Sequence, residues 1–62
     1  MKDSKRINSL LSRIRDVGKK SLSESDRKRL KEISKLDPNA EHDETVVKKA
    51  EDDMATFEQR YL

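Results

Sequence analysis

The sequence predicts an all-α protein, either a small three-helix up-down-up bundle or a helical hairpin followed by a long C-terminal helix. Two observations predict this class. Apolar residues recur at three- and four-residue intervals in three stretches, and helix-starting or helix-stopping residues bound each stretch. A chain of 62 residues makes one domain at most. The connections are short, so successive helices are expected to run in opposite directions.

Helix 1 is predicted over about residues 4–17. Its apolar face follows the i, i+3, i+4, i+7 spacing of a helix and consists of Ile7, Leu10, Leu11, Ile14 and Val17. Asp3 or Ser4 can cap its start. Gly18 is expected to end it in the left-handed conformation that glycine adopts at low cost.

Helix 2 is predicted over about residues 24–36. Ser23 can cap it by accepting a hydrogen bond from the backbone N–H of Asp26. The apolar face consists of Leu30, Ile33 and Leu36, and Leu22 is expected to fold back onto the core. The helix should stop by residue 37, because Pro38 disfavours helical geometry in the residue before it.

Helix 3 is predicted over about residues 43–61, with a start at 38 as the alternative. Asp37 and Pro38 could open a helix, but residues 39–45 have almost no apolar face and could equally be a loop. Regular spacing resumes in a 3-4-3-4 pattern at Val47, Ala50, Met54, Phe57 and Tyr61.

Charge is divided unevenly along the chain. Residues 1–36 carry 12 Lys/Arg and 5 Asp/Glu, a net +7, whereas residues 37–62 carry 3 and 8, a net −5. On heptad positions, Arg6 and Arg13 of helix 1 match Glu51 and Glu58 of helix 3 in spacing and are opposite in sign. Helices 1 and 3 are therefore expected to pack in parallel, within one molecule or across a dimer.

Composition excludes several classes of protein. There is no cysteine, and the longest apolar run is two residues, so neither a thiolate site nor a membrane span is expected. We expect no cofactor and a cytoplasmic location. The apolar content is low for a monomer of this size, which favours self-association or a partner that shares the core.

No residue set predicts catalysis or metal binding. His42 is the only imidazole and is expected to be exposed and solvated. The acidic run Glu51–Asp53 lacks the ligand pattern of a calcium loop and is expected to be a solvated face. Ser21, Ser23 and Ser25 are expected to serve turns and caps, with phosphorylation as the alternative. The chain is not expected to be an enzyme.

Three groups of residues are the candidate partner-binding sites. The basic cluster Arg27, Lys28, Arg29 and Lys31 wraps around helix 2, with no aromatic residue for base stacking. This basic cluster is expected to remain unpaired, and so is an acidic group that consists of Asp43, Glu44, Asp52 and Asp53. At the C-terminal end, Tyr61 and Leu62 are either core or a surface for a partner.

Residues 7–34 resemble the short cytosolic motif at the C-terminus of some bacterial rhomboid-family membrane proteins. The likeness lies in the run Ile7-Asn8-Ser9-Leu10-Leu11-Ser12-Arg13-Ile14, in Gly18, in Ser21-Leu22-Ser23 and in residues 30–34. The resemblance implies a helix-turn-helix hairpin. It implies no catalysis, because the protease serine and histidine of that family lie in membrane helices that have no counterpart in these residues.

These observations predict a small helical interaction module that acts as a regulator, inhibitor or adaptor through charged helix faces. The expected partner is another protein, and a homodimer is one form of this. The alternative is a nucleic-acid-associated protein that uses the basic surface of helices 1 and 2.

Overall fold

The chain forms three α-helices in a computed structural model that describes residues 4–62. They are α1 (Ser4–Gly18), α2 (Glu24–Ser34) and α3 (Glu44–Tyr61). Met1, Lys2 and Asp3 lie outside the described residues, and with them the predicted cap at Asp3. The all-α three-helix class is confirmed. Among residues 4–62, no helix has the length and apolar character needed to cross a bilayer.

The directions of the helices follow from their side-chain contacts. Arg6 of α1 contacts Glu51 of α3, and Arg13 contacts Glu58. An advance of seven residues along α1 therefore matches an advance of seven residues along α3. These helices are parallel, as predicted, and the pairs form within one molecule. Along α2 the order is reversed, because Arg29 contacts Asp53 while the earlier Asp26 contacts the later Arg60. The bundle therefore runs up, down, up.

The core lies along the shared axis of the three helices. Each helix contributes the apolar positions that its spacing predicts, and α1 has the most extensive contact with α3. The buried residues are Ile7, Leu10, Val17, Leu30, Ile33, Val47, Ala50, Met54 and Phe57. Five further apolar residues are partly buried against them, namely Leu11, Ile14, Leu22, Leu36 and Tyr61.

The first turn differs from the prediction at Gly18. Among the described residues no glycine has a positive φ, and Gly18 is the last residue of α1. The left-handed cap predicted there is wrong. The chain instead leaves the helix through two further turns, in which the N–H groups of Lys19 and Lys20 donate to the carbonyls of Asp16 and Val17. Orphan carbonyls at the helix end are thereby satisfied without a change of handedness.

The start of α2 agrees with the prediction. The Ser23 hydroxyl accepts from the Asp26 N–H at 3.4 Å, which confirms Ser23 as the N-cap. Leu22, directly before it, packs on the core as expected. The helix ends at Ser34, two residues before the predicted end, and Leu36 reaches the core from outside it.

Residues 35–43 connect α2 to α3 without a helix, so the alternative start of helix 3 at residue 38 is wrong. The Asp37 carboxylate accepts from the Asn39 N–H at 2.9 Å, a side-chain turn that competes with helical hydrogen bonding. Asp43 precedes α3 in extended geometry, and its carbonyl accepts from Val46 and Val47. Its side chain makes no cap hydrogen bond.

Candidate functional site

Arginines of α1 and glutamates of α3 form a row of ion pairs, here named the arginine–glutamate ladder (Arg6, Arg13, Glu44, Glu51 and Glu58). Arg13 Nε donates to Glu58 Oε2 at 3.0 Å, and its Nη2 contacts the other carboxylate oxygen. Arg6 lies between two glutamates, with Nε 3.1 Å from Glu51 and Nη1 2.8 Å from Glu44. The two pairs predicted from heptad spacing are confirmed. Glu44, predicted to be unpaired, is a third acceptor, and that prediction is wrong.

The ladder keeps its members ionised. Hydrogen bonds from the arginines lower the pKa values of all three glutamates, and bonds from the glutamates raise the pKa values of both arginines. Arg6, Arg13, Glu51 and Glu58 are each about one-third exposed, so water weakens these attractions. The ladder therefore orients α3 against α1 and leaves these charges committed within the molecule.

A second polar group, the Asp26 cluster (Asp26, Arg60, Tyr61 and Ser23), joins the start of α2 to the end of α3. The Tyr61 hydroxyl donates to Asp26 Oδ2 at 2.6 Å, and Arg60 Nη1 donates to the same oxygen. The Ser23 N–H donates to the Tyr61 hydroxyl at 3.2 Å. Hydrogen bonds from Tyr61 and Arg60 lower the pKa of Asp26.

The Asp26 cluster was not predicted from the sequence. Asp26 is the one charged residue classed as buried among residues 4–62. The sequence did contain an indication of it. Asp26 lies in the first turn of α2, and an antiparallel α3 ends beside that turn with Arg60 and Tyr61. Tyr61, predicted as either core or a partner surface, is half-buried against the core, and its hydroxyl is occupied by Asp26.

Arg29 and Asp53 were also predicted to be unpaired, and this is wrong. Arg29 Nε donates to Asp53 Oδ2 at 2.6 Å, and Lys49 Nζ lies 3.6 Å from the other oxygen of that carboxylate. The antiparallel packing of α2 and α3 brings these two side chains together. The expectation of a solvated acidic run therefore fails at Glu51 and Asp53, which are half-buried and paired with arginines.

The remaining predicted positions do not gather into one site. Asp43 and Asp52 are exposed, and a rise of nine residue steps separates them by roughly 13 Å along the axis of α3. Leu62 is 61% exposed. His42 is half-buried rather than exposed, with Nε2 2.8 Å from the Asp37 carbonyl oxygen. No group of three potential metal-ligating side chains occurs within residues 4–62.

Because Arg29 is paired with Asp53, the free cations of the predicted basic cluster have a different arrangement from the predicted one. At 100° per residue, Arg27, Lys28 and Lys31 of α2 and its C-cap residue Lys35 fall within an arc of about 100°, here named the basic face. All four are exposed, and within residues 4–62 none forms an ion pair. The four predicted positions do wrap around α2, because Arg29 turns towards α3 while the other three face solvent.

A groove runs between the end of α1 and α2, beside the basic face. Its apolar floor is formed by Ile14, Leu22 and Leu30, with Gly18 at one side. Its basic rim is formed by Lys20, Arg27 and Lys31, and Ser34 closes the lining. Gly18 has no side chain to fill the groove. A Cβ at this position would lie 3.9 Å from Leu30 Cδ2, which is an ordinary contact distance. We name this feature the interhelical groove.

No protein-family model, no curated protein and no solved structure matches this chain. Floor and rim together offer apolar burial and positive charge within one concave surface, which is a combination suited to binding.

Proposed function

We propose that this chain is a small protein–protein interaction module that docks on another protein through the interhelical groove and acts as a regulator, inhibitor or adaptor. One observation carries the proposal. The groove joins an apolar floor to three rim cations, Lys20, Arg27 and Lys31, which have no ion-pair partner in the described part of the chain. An apolar floor supplies burial energy, and rim charges select the partner and speed encounter.

The placement of the groove in the chain supports this proposal. All of its lining residues fall between Ile14 and Ser34, within the hairpin formed by α1 and α2. By contrast, α3 contributes no residue to the lining. Most of its acidic side chains are paired with Arg6, Arg13 or Arg29. In this proposal the α1–α2 hairpin carries the interaction, and α3 supports the hairpin from the opposite side.

Site-specific photocrosslinking in cells that make the protein tests the proposal. A photoreactive residue is placed at Ser34, which lines the groove, and at Ala55 as a control on the exposed face of α3. The expected result is one discrete protein adduct from position 34 that survives nuclease treatment. The same position is then tested in a groove variant, Arg27→Glu/Lys31→Glu, and in a matched charge control, Lys5→Glu/Lys48→Glu.

The proposal requires the adduct to depend on the groove. It should be lost in the groove variant and kept in the charge control, because both variants change the net charge equally while only one alters the rim. Equal adducts from positions 34 and 55, or an adduct that persists in the groove variant, would contradict docking at this site.

A second candidate function is association with nucleic acid, and the basic face favours it. Four unpaired cations on one side of α2 can contact successive phosphates. If all four do so on duplex DNA, the logarithm of the binding constant should fall with the logarithm of salt concentration at a slope of about −3.6. A slope near zero in filter retention would contradict this candidate.

A further inference from the structure

We infer, resting on the proposed function, that the occupant of the interhelical groove is an acidic amphipathic helix of a partner protein. Such a helix would set apolar side chains on the groove floor and carboxylates against Lys20, Arg27 and Lys31. The inference joins three properties of the groove: its apolar floor, its rim of unpaired cations, and the continuation of the positive charge along α2.

The apolar floor of the groove requires apolar side chains on the partner. Leu30 is buried, whereas Ile14 and Leu22 are half-buried, so the surface that remains open to a ligand comes mainly from Ile14 and Leu22. They lie between two antiparallel helices, where a third helix can insert a row of side chains at i, i+3 and i+7. A purely polar polyanion would leave this surface in contact with water and gain nothing from it.

The cations of the rim and of the basic face require acidic side chains on the partner. The basic face continues past the groove from Arg27 to Lys35, a distance of about 12 Å along α2 or roughly two helical turns. Carboxylates on two turns of a bound helix can therefore each meet a cation. The cations have no intramolecular partner in residues 4–62, so binding would break no existing ion pair of theirs.

Nucleic acid and a second copy of the chain fit the same surface less well. Both aromatic side chains of the sequence are withdrawn from it, since Phe57 is buried and the Tyr61 hydroxyl is bound to Asp26, so no base can stack beside the cations. A second copy does not present an acidic helix. Four of the five acidic side chains of α3, Glu44, Glu51, Asp53 and Glu58, are already paired, and the exposed Asp37, Glu41 and Asp43 lie outside any helix.

Fluorescence anisotropy with synthetic peptides tests the inference on the full-length chain. The probe is a labelled, end-capped peptide of about 16 residues, with leucines at i, i+3 and i+7, glutamates at the positions that flank them, and alanines elsewhere to favour the helix. Two matched peptides separate the contributions, one with glutamine in place of glutamate and one with serine in place of leucine. A single-stranded oligonucleotide of similar length forms the fourth arm.

The acidic amphipathic peptide should bind the wild-type chain at least roughly tenfold more tightly than either matched peptide. Its affinity should fall by a similar factor in Arg27→Glu/Lys31→Glu and remain unchanged in Lys5→Glu/Lys48→Glu. Circular dichroism of each variant verifies that the helices persist, so that loss of binding is not loss of folding.

Each contrary result has a distinct meaning. Equal binding of the glutamine peptide would overturn the acidic partner while leaving docking at the groove intact. Absence of binding by all three peptides would overturn the inference, and the crosslinking experiment would still judge the proposed function. Groove-dependent binding of the oligonucleotide alone, with a steep salt dependence, would overturn both.

Discussion

Replacement of Gly18 by alanine should stabilise the protein. Gly18 is the last residue of α1 and has a negative φ, so alanine adopts the same backbone without strain. Glycine in a helix is destabilising by about 0.5–1 kcal/mol relative to alanine, because it loses more chain entropy on folding. The new methyl group would also lie 3.9 Å from Leu30 Cδ2, an ordinary packing distance. We expect a gain of about 0.5–1 kcal/mol in the free energy of unfolding.

Thermal unfolding followed by far-UV circular dichroism measures this change. For a domain of this size 1 kcal/mol corresponds to about 4–8 °C, so the melting temperature should rise by roughly 2–8 °C. Ser12→Ala is the matched control, because Ser12 is an exposed residue within the same helix and its replacement changes helix propensity only, by about 0.5 kcal/mol.

The opposite sign would refute the reasoning. In the left-handed conformation that the sequence predicts for Gly18, a Cβ would cost about 1–2 kcal/mol. A melting temperature that falls in Gly18→Ala while Ser12→Ala is stabilising would therefore show that α1 ends in a left-handed residue after all.

Four further predictions concern the contacts between helices. Glu58→Arg should lower stability by about 0.5–1 kcal/mol at low salt, and the double variant Arg13→Glu/Glu58→Arg should recover most of it; no recovery in urea unfolding would contradict a direct pair. Met54→Ala removes a fully buried side chain and should cost about 2–5 kcal/mol, so retention of the wild-type melting temperature would contradict its place in the core. Tyr61→Phe should lower the melting temperature and make it less sensitive to acid, because Asp26 loses its phenolic donor. Acid should destabilise the wild-type chain: the ladder glutamates have folded pKa values below the ordinary 4.5, so their contribution is complete above pH 4.5 and is lost as the pH falls through the lower folded values. A melting temperature that stays constant from pH 7 to about pH 3 would contradict this last prediction.

The sequence was sufficient to predict the helices and one of their three contact surfaces. Apolar spacing specifies the face of each helix, and the repeated seven-residue spacing of Arg6 and Arg13 against Glu51 and Glu58 specifies the parallel pairing. Both patterns depend on local periodicity and on sign of charge, which are visible in a single chain.

Contacts without a repeat were not predictable in the same way. Arg29 turns to Asp53, and Asp26 receives Tyr61, only because α2 packs antiparallel to α3 at a particular offset. A single residue pair carries no periodic signal, so these charges were counted as free. The interhelical groove was missed for a related reason, since Ile14 and Leu22 look like ordinary core positions until the space between two helices is known.

The arginine–glutamate ladder specifies direction better than it specifies register. Arg6 already contacts both Glu44 and Glu51, so a slide of α3 by one heptad, about 10 Å, would still offer Arg6 a partner in Glu44 and Arg13 a partner in Glu51. Electrostatics along this seam would therefore tolerate the slip. The Asp26 cluster would not, because the end of α3 carries the only Arg–Tyr pair that can meet Asp26. One buried carboxylate thus performs the alignment that a repeating row of charges cannot.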